Sequence, residues 1–192
     1  LKAKLTSIYE KGKAGNPSPA AVGMRTAGAY LQYCSGGQNA AGLPFIAMPG
    51  SAKLGQDLAN IYSKESPSGE STAQAMAKAF DACLATFMSQ FQNTIISSAF
   101  KGLLYTHLTI AFGKPANSAS DYAKNLAMAL HLATTAPAIQ VIGVVPGTPP
   151  VPFAGPITAK IDNMGIVARQ HVINKFSKEK MLSSYINFYE AL

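Results

Sequence analysis

Charged residues are scarce in this chain. Asp, Glu, Lys and Arg make up 13% of its 192 residues, where a soluble globular domain has about 25%. A surface this poor in charge is often covered by a partner subunit. Much of the apolar content is alanine, which buries little area per residue, so an alanine-rich helical protein with an ordinary surface is the alternative. The hydrophobic fraction of 48% excludes wholesale disorder.

Cysteine is equally rare. Cys34 and Cys83 are the only two, and each lies among apolar residues at helical spacing, where a thiol acts as a small hydrophobic side chain. Cysteines so far apart form neither a zinc motif nor a disulfide framework, and the sequence leaves open whether they pair with each other. No apolar run approaches the about 20 residues that span a bilayer. We therefore predict no membrane span, and residues 136–145 are expected to be extended core.

Motifs for catalysis, cofactors and metals are also missing. Neither a P-loop nor a strand-fed GxGxxG occurs, and no nucleophile elbow is present. The three histidines lie in separate segments without a second ligand at metal-binding spacing: His107, His131 and His171. The nine acidic residues are mostly isolated; Asp81 lies among apolar neighbours, where we expect a buried hydrogen-bonding partner. The sequence predicts no enzyme, no cofactor and no metal.

The net charge of +7 is concentrated at the two ends of the chain. The basic residues there are Lys2, Lys4, Lys11 and Lys13, then Arg169, Lys175, Lys178 and Lys180. Such ends suit a nucleic acid or an anionic surface. They lack the interleaved arginine and aromatic residues of a base-reading or stacking platform, so this function is kept as an alternative and is not favoured.

Apolar spacing and capping residues predict a mainly α fold, a helical domain with long Gly/Pro-rich loops. The predicted helices cover residues 1–11, 19–34, 51–63, 71–100, 118–133 and further stretches from 156 onward. The segment 71–100 is expected to be one long helix, broken at most near Asn93. Residues 102–112 fit a helix or a strand, and residues 36–50 and 146–156 are predicted loops.

A short internal similarity suggests a duplication. Leu43-Pro44-Phe45 followed by Ala52-Lys53-Leu54 recurs as Val151-Pro152-Phe153 followed by Ala159-Lys160-Ile161. We interpret these as two helix–loop–helix halves, residues 1–113 and 114–192. Chance similarity within one compact domain is the alternative.

The loop at 146–156 is the main candidate for function. It carries Val151 and Phe153 among prolines, and burying such a side chain contributes about 1.5–3 kcal/mol, so both are expected to be covered. An internal anchor and a subunit contact both fit, and we favour the contact. The candidate interaction residues are Phe45, Met48, Pro149, Pro150, Val151 and Phe153.

Alanine-rich helices joined by a loop such as residues 146–155 resemble tail and baseplate proteins of tailed bacteriophages. The resemblance implies a non-enzymatic assembly subunit in the virion, with other subunits and copies of itself as partners; outside a phage, the expected location is cytoplasmic. It carries over no functional residues. The alternatives are a helical module that binds nucleic acid or an anionic surface, and a small enzyme whose site is assembled by the fold.

Overall fold

The computed structural model describes residues 1–15, 18–64, 68–96, 99–113 and 118–159. Residues up to Thr158 form one compact unit, and residues 159–192 separate as a second unit, of which only Ala159 is described. The described chain contains six helices: α1 (Lys2–Gly15), α2 (Pro19–Cys34), α3 (Ser51–Ser63), α4 (Gly69–Leu84), α5 (Phe100–Phe112) and α6 (Ala119–Thr134). Its strands are β1 (Gly37–Gln38), β2 (Phe45–Ala47), β3 (Met88–Ser89), β4 (Gln92–Ile96), β5 (Gln140–Val145), β6 (Val151–Gly155) and β7 (Thr158–Ala159). The protein is therefore mainly helical, with small antiparallel sheets, as the sequence predicts.

The helices form three successive hairpins with a regular spacing. The second helix of each hairpin starts at residue 19, 69 or 119, a period of 50 residues. A serine precedes each of these helices and accepts a hydrogen bond from the amide three residues later: Ser18, Ser68 and Ser118. Six buried positions of α2 recur as buried positions in α4 and α6. We refer to the hairpins and the strands that follow them as repeats 1 (1–50), 2 (51–99) and 3 (100–158).

The six helices close into a ring. Each helix packs against the helices before and after it in the chain, and α6 packs against α1. Tyr30, Phe80 and Leu130 occupy equivalent positions in the three repeats and are fully buried. The rings of Tyr30 and Phe80 meet edge to face with centroids 5.0 Å apart, and the hydroxyls of Tyr30 and Thr134 lie 2.9 Å apart. The core therefore sits where the second helices of the hairpins meet.

The strands of different repeats pair with one another. β2 pairs with β3, and β4, β5 and β6 form a three-stranded antiparallel sheet in that order. The register of that sheet places Ile142 opposite Ala154 and Val144 opposite Pro152. Thr158 lies beside β1, where its hydroxyl donates to the carbonyl of Gln38 at 3.4 Å. Because segments of all three repeats pair in this way, the strands lie together at one end of the helical ring, which we call the strand end.

The prediction of one long helix over 71–100 is wrong. Helix α4 ends at Leu84, and the chain then forms β3 and β4 before α5 begins. The Cys83 carbonyl at the helix end accepts from the Thr86 amide at 3.0 Å and from the Thr86 hydroxyl at 2.7 Å, which replaces the bond that a continued helix would have supplied. The β-branched run from Thr94 pairs with β5, and β-branched side chains favour strands.

Other segments differ in smaller ways. The predicted loops at 36–50 and 146–156 contain strands β1, β2 and β6. The undecided segment at 102–112 is helical, and Thr158–Ala159 is a strand where a helix was predicted to have begun. The remainder of the helix predicted from residue 156 lies outside the described residues, as do His171 and the second basic cluster. The duplication and the division at residue 113 therefore stay predictions.

Candidate interaction surface

The described strands carry no charged side chain. Lys, Arg, Asp and Glu are absent from residues 26–52, 82–100 and 125–159, and all seven described strands fall within these three stretches. The charged residues of the described chain lie on the six helices or, for Lys64, directly after α3. Lys53 and Lys101, in the first turns of α3 and α5, and Asp81, in the last turn of α4, lie where these helices meet the strands. The fold therefore brings together three charge-free segments, one from each repeat, with a few charges at their border.

The three-stranded sheet has few polar side chains. Val141, Gly143 and Gly155 are buried on its inner face, which also carries Gln92 opposite Gly143. The alternate positions point outward and form what we call the outer sheet face: Thr94, Gln140, Ile142, Val144, Pro152 and Ala154. Five of these are exposed, and Ile142 is half-buried. Antiparallel sheets with one solvated face usually carry polar residues there. Here Thr94 and Gln140 are the polar residues, and no residue is charged.

Phe91, the residue directly before β4, has a strained backbone conformation. Its φ of 58° is rare for a bulky residue and costs on the order of 1–3 kcal/mol, yet its side chain is 39% exposed. The Val144 amide donates to the Phe91 carbonyl at 3.2 Å. Gly143 makes this approach possible, because a Cβ there would lie 2.1 Å from that carbonyl oxygen and 2.4 Å from the Phe153 ring. The fold holds an exposed aromatic side chain in place at an energetic cost.

The predicted interaction residues fall into two groups. Phe45 and Met48 lie in repeat 1, where they line an open apolar cavity of about 550 Å³ together with Leu31 and Ile46. Pro149, Pro150 and Val151 are exposed in the hairpin between β5 and β6. Met48 is only 3% exposed, and Phe45 and Phe153 are half-buried against the core, so these three act partly as internal anchors.

Other exposed apolar residues of the strand end were missed by the sequence interpretation. They are Ile46, Met88, Phe91 and Val144. The absence of charge over residues 82–100 is the signal that could have indicated two of them, since a strand exposed to water normally carries polar side chains on one face.

A second apolar patch belongs to repeat 3. Ile110, Met128 and Leu132 are exposed along a groove of about 230 Å³ between α5 and α6. The same groove between α1 and α2 is lined by Lys4, Ser7, Arg25, Gly28 and Gln32, among others. The apolar character is therefore a property of repeat 3 and not a requirement of the repeated fold.

Titratable groups of the described chain do not form a recognisable catalytic or metal site. No group of three or more His, Cys, Asp or Glu able to hold a metal ion occurs among the described residues. His131 is bonded through Nδ1 to the Tyr33 hydroxyl at 2.6 Å, which joins α6 to α2. Lys2 and Lys4 of the first basic cluster are exposed on α1.

Asp81 is half-buried and meets the expectation of a hydrogen-bonding partner only in part. Burial raises the pKa of its carboxyl, and the ammonium and backbone amide of Lys101 act in the opposite direction. Its Oδ1 is buried without a hydrogen-bonding partner. Lys101 is in the first turn of α5, whose N-cap residue Ala99 makes no side-chain bond. Asp81 therefore places a carboxyl at a helix N-terminus, where negative charge is favourable.

Both cysteines are free thiols buried in the ring. Burial raises the pKa of Cys34 and of Cys83 to about 12. The thiolate is the reactive species, so we expect neither cysteine to react with a chromogenic disulfide reagent at mildly alkaline pH in the folded chain, and both to react after denaturation. Ser35→Cys, which adds a thiol at an exposed position, is the control and is expected to react at once. Rapid reaction of Cys34 or Cys83 in the native protein would contradict this.

Comparison with known proteins adds no relative: the chain matches no family model, no curated protein and no solved structure. In the part of the chain that the structure describes, no helix has both the length and the apolarity needed to span a membrane.

Proposed function

We propose that this protein is a non-enzymatic assembly subunit that contacts neighbouring protein subunits through its strand end. The observation that carries the proposal is a group of charge-free strands and turns with five exposed large apolar residues: Ile46, Met88, Phe91, Val144 and Val151. Interface cores are depleted of charged residues, and contiguous apolar patches on a surface mark sites of association.

The assembly we propose is the tail or baseplate of a tailed bacteriophage virion. The resemblance of the alanine-rich helices and the Pro-rich loop to such proteins supports this choice. A closed ring of three helical hairpins is suited to a structural subunit, because its packed core holds the loops and strands at its two ends in position for contacts with neighbours. The basic residues of α1 support the alternative of binding to an anionic partner, and the same experiment tests it.

Site-specific photo-crosslinking within the native particle tests the proposal. The described strands contain no lysine, so a photo-reactive residue is placed at Val151, which is 59% exposed, and at the exposed Gln74 of α4 as a control. We expect Val151 to crosslink to a neighbouring protein and Gln74 not to. The yield of this crosslink should be the same when the particle is irradiated at high salt, since an apolar contact releases no counterions.

A different result would favour the alternative. If the chain crosslinks to no protein and its association is with nucleic acid, its affinity should fall steeply as the salt concentration rises. That outcome would contradict the assembly function.

A further inference from the structure

We propose that the open cavity and the groove of repeat 1 form one docking site, which binds an acidic segment of a neighbouring subunit with an apolar side chain as its anchor. The inference rests on the proposed function, because it names the chemistry of a partner within the assembly, and it extends the contact surface beyond the strand end. It follows from three observations: a glycine without a packing role, two cations without partners, and an apolar cavity that adjoins them.

The cavity and the groove share one stretch of helix α2. The cavity of about 550 Å³ lies between α2 and residues 45–49, and the groove of about 340 Å³ lies between α1 and α2. Gly28 and Gln32 line both spaces, and they are about one helical turn apart. A Cβ at Gly28 would meet nothing within 4 Å beyond the backbone of its own helix. The two spaces are therefore continuous at Gly28, and one ligand can occupy both.

Gly28 has no packing role within the described chain. Glycine in the middle of a helix is unfavourable. Gly23 of the same helix is required by close packing, since a Cβ there would lie 2.5 Å from the backbone nitrogen of Ala59, but no such neighbour explains Gly28. The equivalent positions of the other repeats, Lys78 and Met128, carry long, exposed side chains. A bare helix surface is what the close approach of a ligand or of another backbone requires.

The groove supplies positive charge and hydrogen-bond donors. Lys4 on α1 and Arg25 on α2 line its two walls, together with Ser7 and Gln32. Among the described residues, neither Lys4 nor Arg25 takes part in an ion pair. The only acidic residue of repeat 1, Glu10, is not among the described lining residues of the groove. Arginine and lysine form their strongest hydrogen bonds with anionic oxygens, so the groove is complementary to carboxylates.

The cavity decides which kind of anion fits. Leu31, Phe45, Ile46 and Met48 line it with apolar surface, which phosphates and sugars cannot fill, whereas an apolar side chain of a protein can act as an anchor there. Sites for small molecules bury most of the ligand surface, and this cavity is open to solvent. A protein segment covers the open side with its own backbone. The occupant that fits both spaces is therefore an acidic segment with an apolar anchor.

Binding of anilinonaphthalene sulfonate, a fluorescent probe that joins apolar rings to one negative charge, tests the site in the full chain. Gly28→Leu fills the junction, and we expect it to lower the affinity for the probe at least about tenfold. Leucine favours a helix more than glycine does, so the unfolding temperature should stay the same or rise. Gly102→Leu is the matched control, because Gly102 is equally open but lines neither space; it should change the affinity by no more than about twofold.

The two cations are tested in the same assay. Lys4→Gln combined with Arg25→Gln should lower the affinity about tenfold, because charge-assisted contacts are lost. Lys78→Gln combined with Lys124→Gln removes the same charge from exposed positions of α4 and α6 and should have an effect of no more than about twofold. A chain that binds no probe, or binds it equally well with Gly28→Leu, has no such site. Displacement of the probe by a single-stranded oligonucleotide would assign the site to nucleic acid and overturn the acidic segment.

Photo-crosslinking in the native particle identifies the occupant. A photo-reactive residue at Gln32 lies at the junction, and one at Ala82, the equivalent exposed position of α4, is the control. We expect Gln32 to crosslink to a protein segment that has an acidic residue close to a large apolar one, and the yield to fall in a chain that also carries Gly28→Leu. A crosslinked segment without acidic residues, or a yield that Gly28→Leu leaves unchanged, overturns the inference.

The outcomes distinguish this inference from the proposed function. If Val151 crosslinks to a protein and Gln32 does not, the docking site is excluded and the assembly function stands. If only Gln32 crosslinks to a protein, the docking site stands and the strand end is excluded as the contact. If neither position crosslinks to a protein, both proposals fail.

Discussion

Replacing Phe80 with alanine is expected to lower the free energy of unfolding by about 3–5 kcal/mol, the usual cost of truncating a buried aromatic residue. Phe80 is fully buried and packs edge to face on Tyr30 with centroids 5.0 Å apart. It occupies the position at which the second helices of the three hairpins meet, so the cavity is bordered by several helices and cannot collapse easily. Urea unfolding followed by circular dichroism measures the effect.

Two further variants test whether the loss of stability is specific to the buried centre of the helical ring. Leu130→Ala, the equivalent position in repeat 3, should cost about 2–5 kcal/mol. Met128→Ala removes an apolar side chain that is 56% exposed on the same helix and should change stability by less than about 0.5 kcal/mol. Equal effects at Phe80 and Met128 would show that the repeats do not share a buried centre.

The second large effect is expected at Asn39, which joins the strands of repeats 1 and 2. Asn39 is 1% exposed. Its Nδ2 donates to the Ser89 hydroxyl at 3.1 Å and to the Gln90 carbonyl at 2.9 Å. Its Oδ1 accepts from the amides of Ala41 and Leu43, each at 3.0 Å. All four hydrogen-bonding positions of the side-chain amide are therefore satisfied.

Asn39→Ala is expected to destabilise the fold by about 2–4 kcal/mol, because each buried group left without a partner costs about 1–3 kcal/mol and several lose theirs together. Asn93→Ala is the matched control, since Asn93 is exposed on β4, and it should stay within about 0.5 kcal/mol of the unmodified chain. Thermal and urea unfolding of both variants measure the difference. A loss below about 1 kcal/mol for Asn39→Ala would mean that water replaces the side-chain bonds.

Several helices could be predicted from sequence because their signals are local. Helix α2 begins at Pro19 after a serine cap, as predicted from the Ser-Pro pair, and it ends at the predicted Cys34. Helix α3 spans the predicted residues 51–63. A capping hydroxyl, a proline in the first turn and apolar residues every three to four positions act within one helix, so no distant segment is needed to recognise them.

The helix predicted over 71–100 shows where local signals mislead. Phe87, Phe91 and Ile95 continue the spacing of a helix beyond Leu84, and a periodic apolar pattern does not reveal what it will pack against. In the structure Ile95 pairs with Val141 across two strands. The strand that pairs with this segment comes from another repeat. The segment therefore becomes a strand and not a helix only because the closed ring brings the two segments together.

Only part of the candidate surface could be predicted from the sequence. Val151 and Phe153 were expected to be covered; within the chain Val151 and its two preceding prolines are exposed, and Phe153 is half-buried. Met48 was named as a candidate interaction residue and is buried. The exposure of a side chain depends on which segments pack over it, and the neighbouring residues in the sequence do not contain that information.

Composition and local pattern by themselves determined that this chain is a mainly helical protein with a substantial core, few charges and, at α2 and α6, helices that follow a capping serine. The three charge-free stretches are also plain in the sequence. Only the tertiary structure decided that they meet, because strand pairing joins residues about fifty positions apart and the contact between α1 and α6 closes the ring. A charge-free segment alone predicts burial or a loop. Three of them gathered at one end form a group of strands without charged side chains, since each repeat places its strands on the same side of the helices.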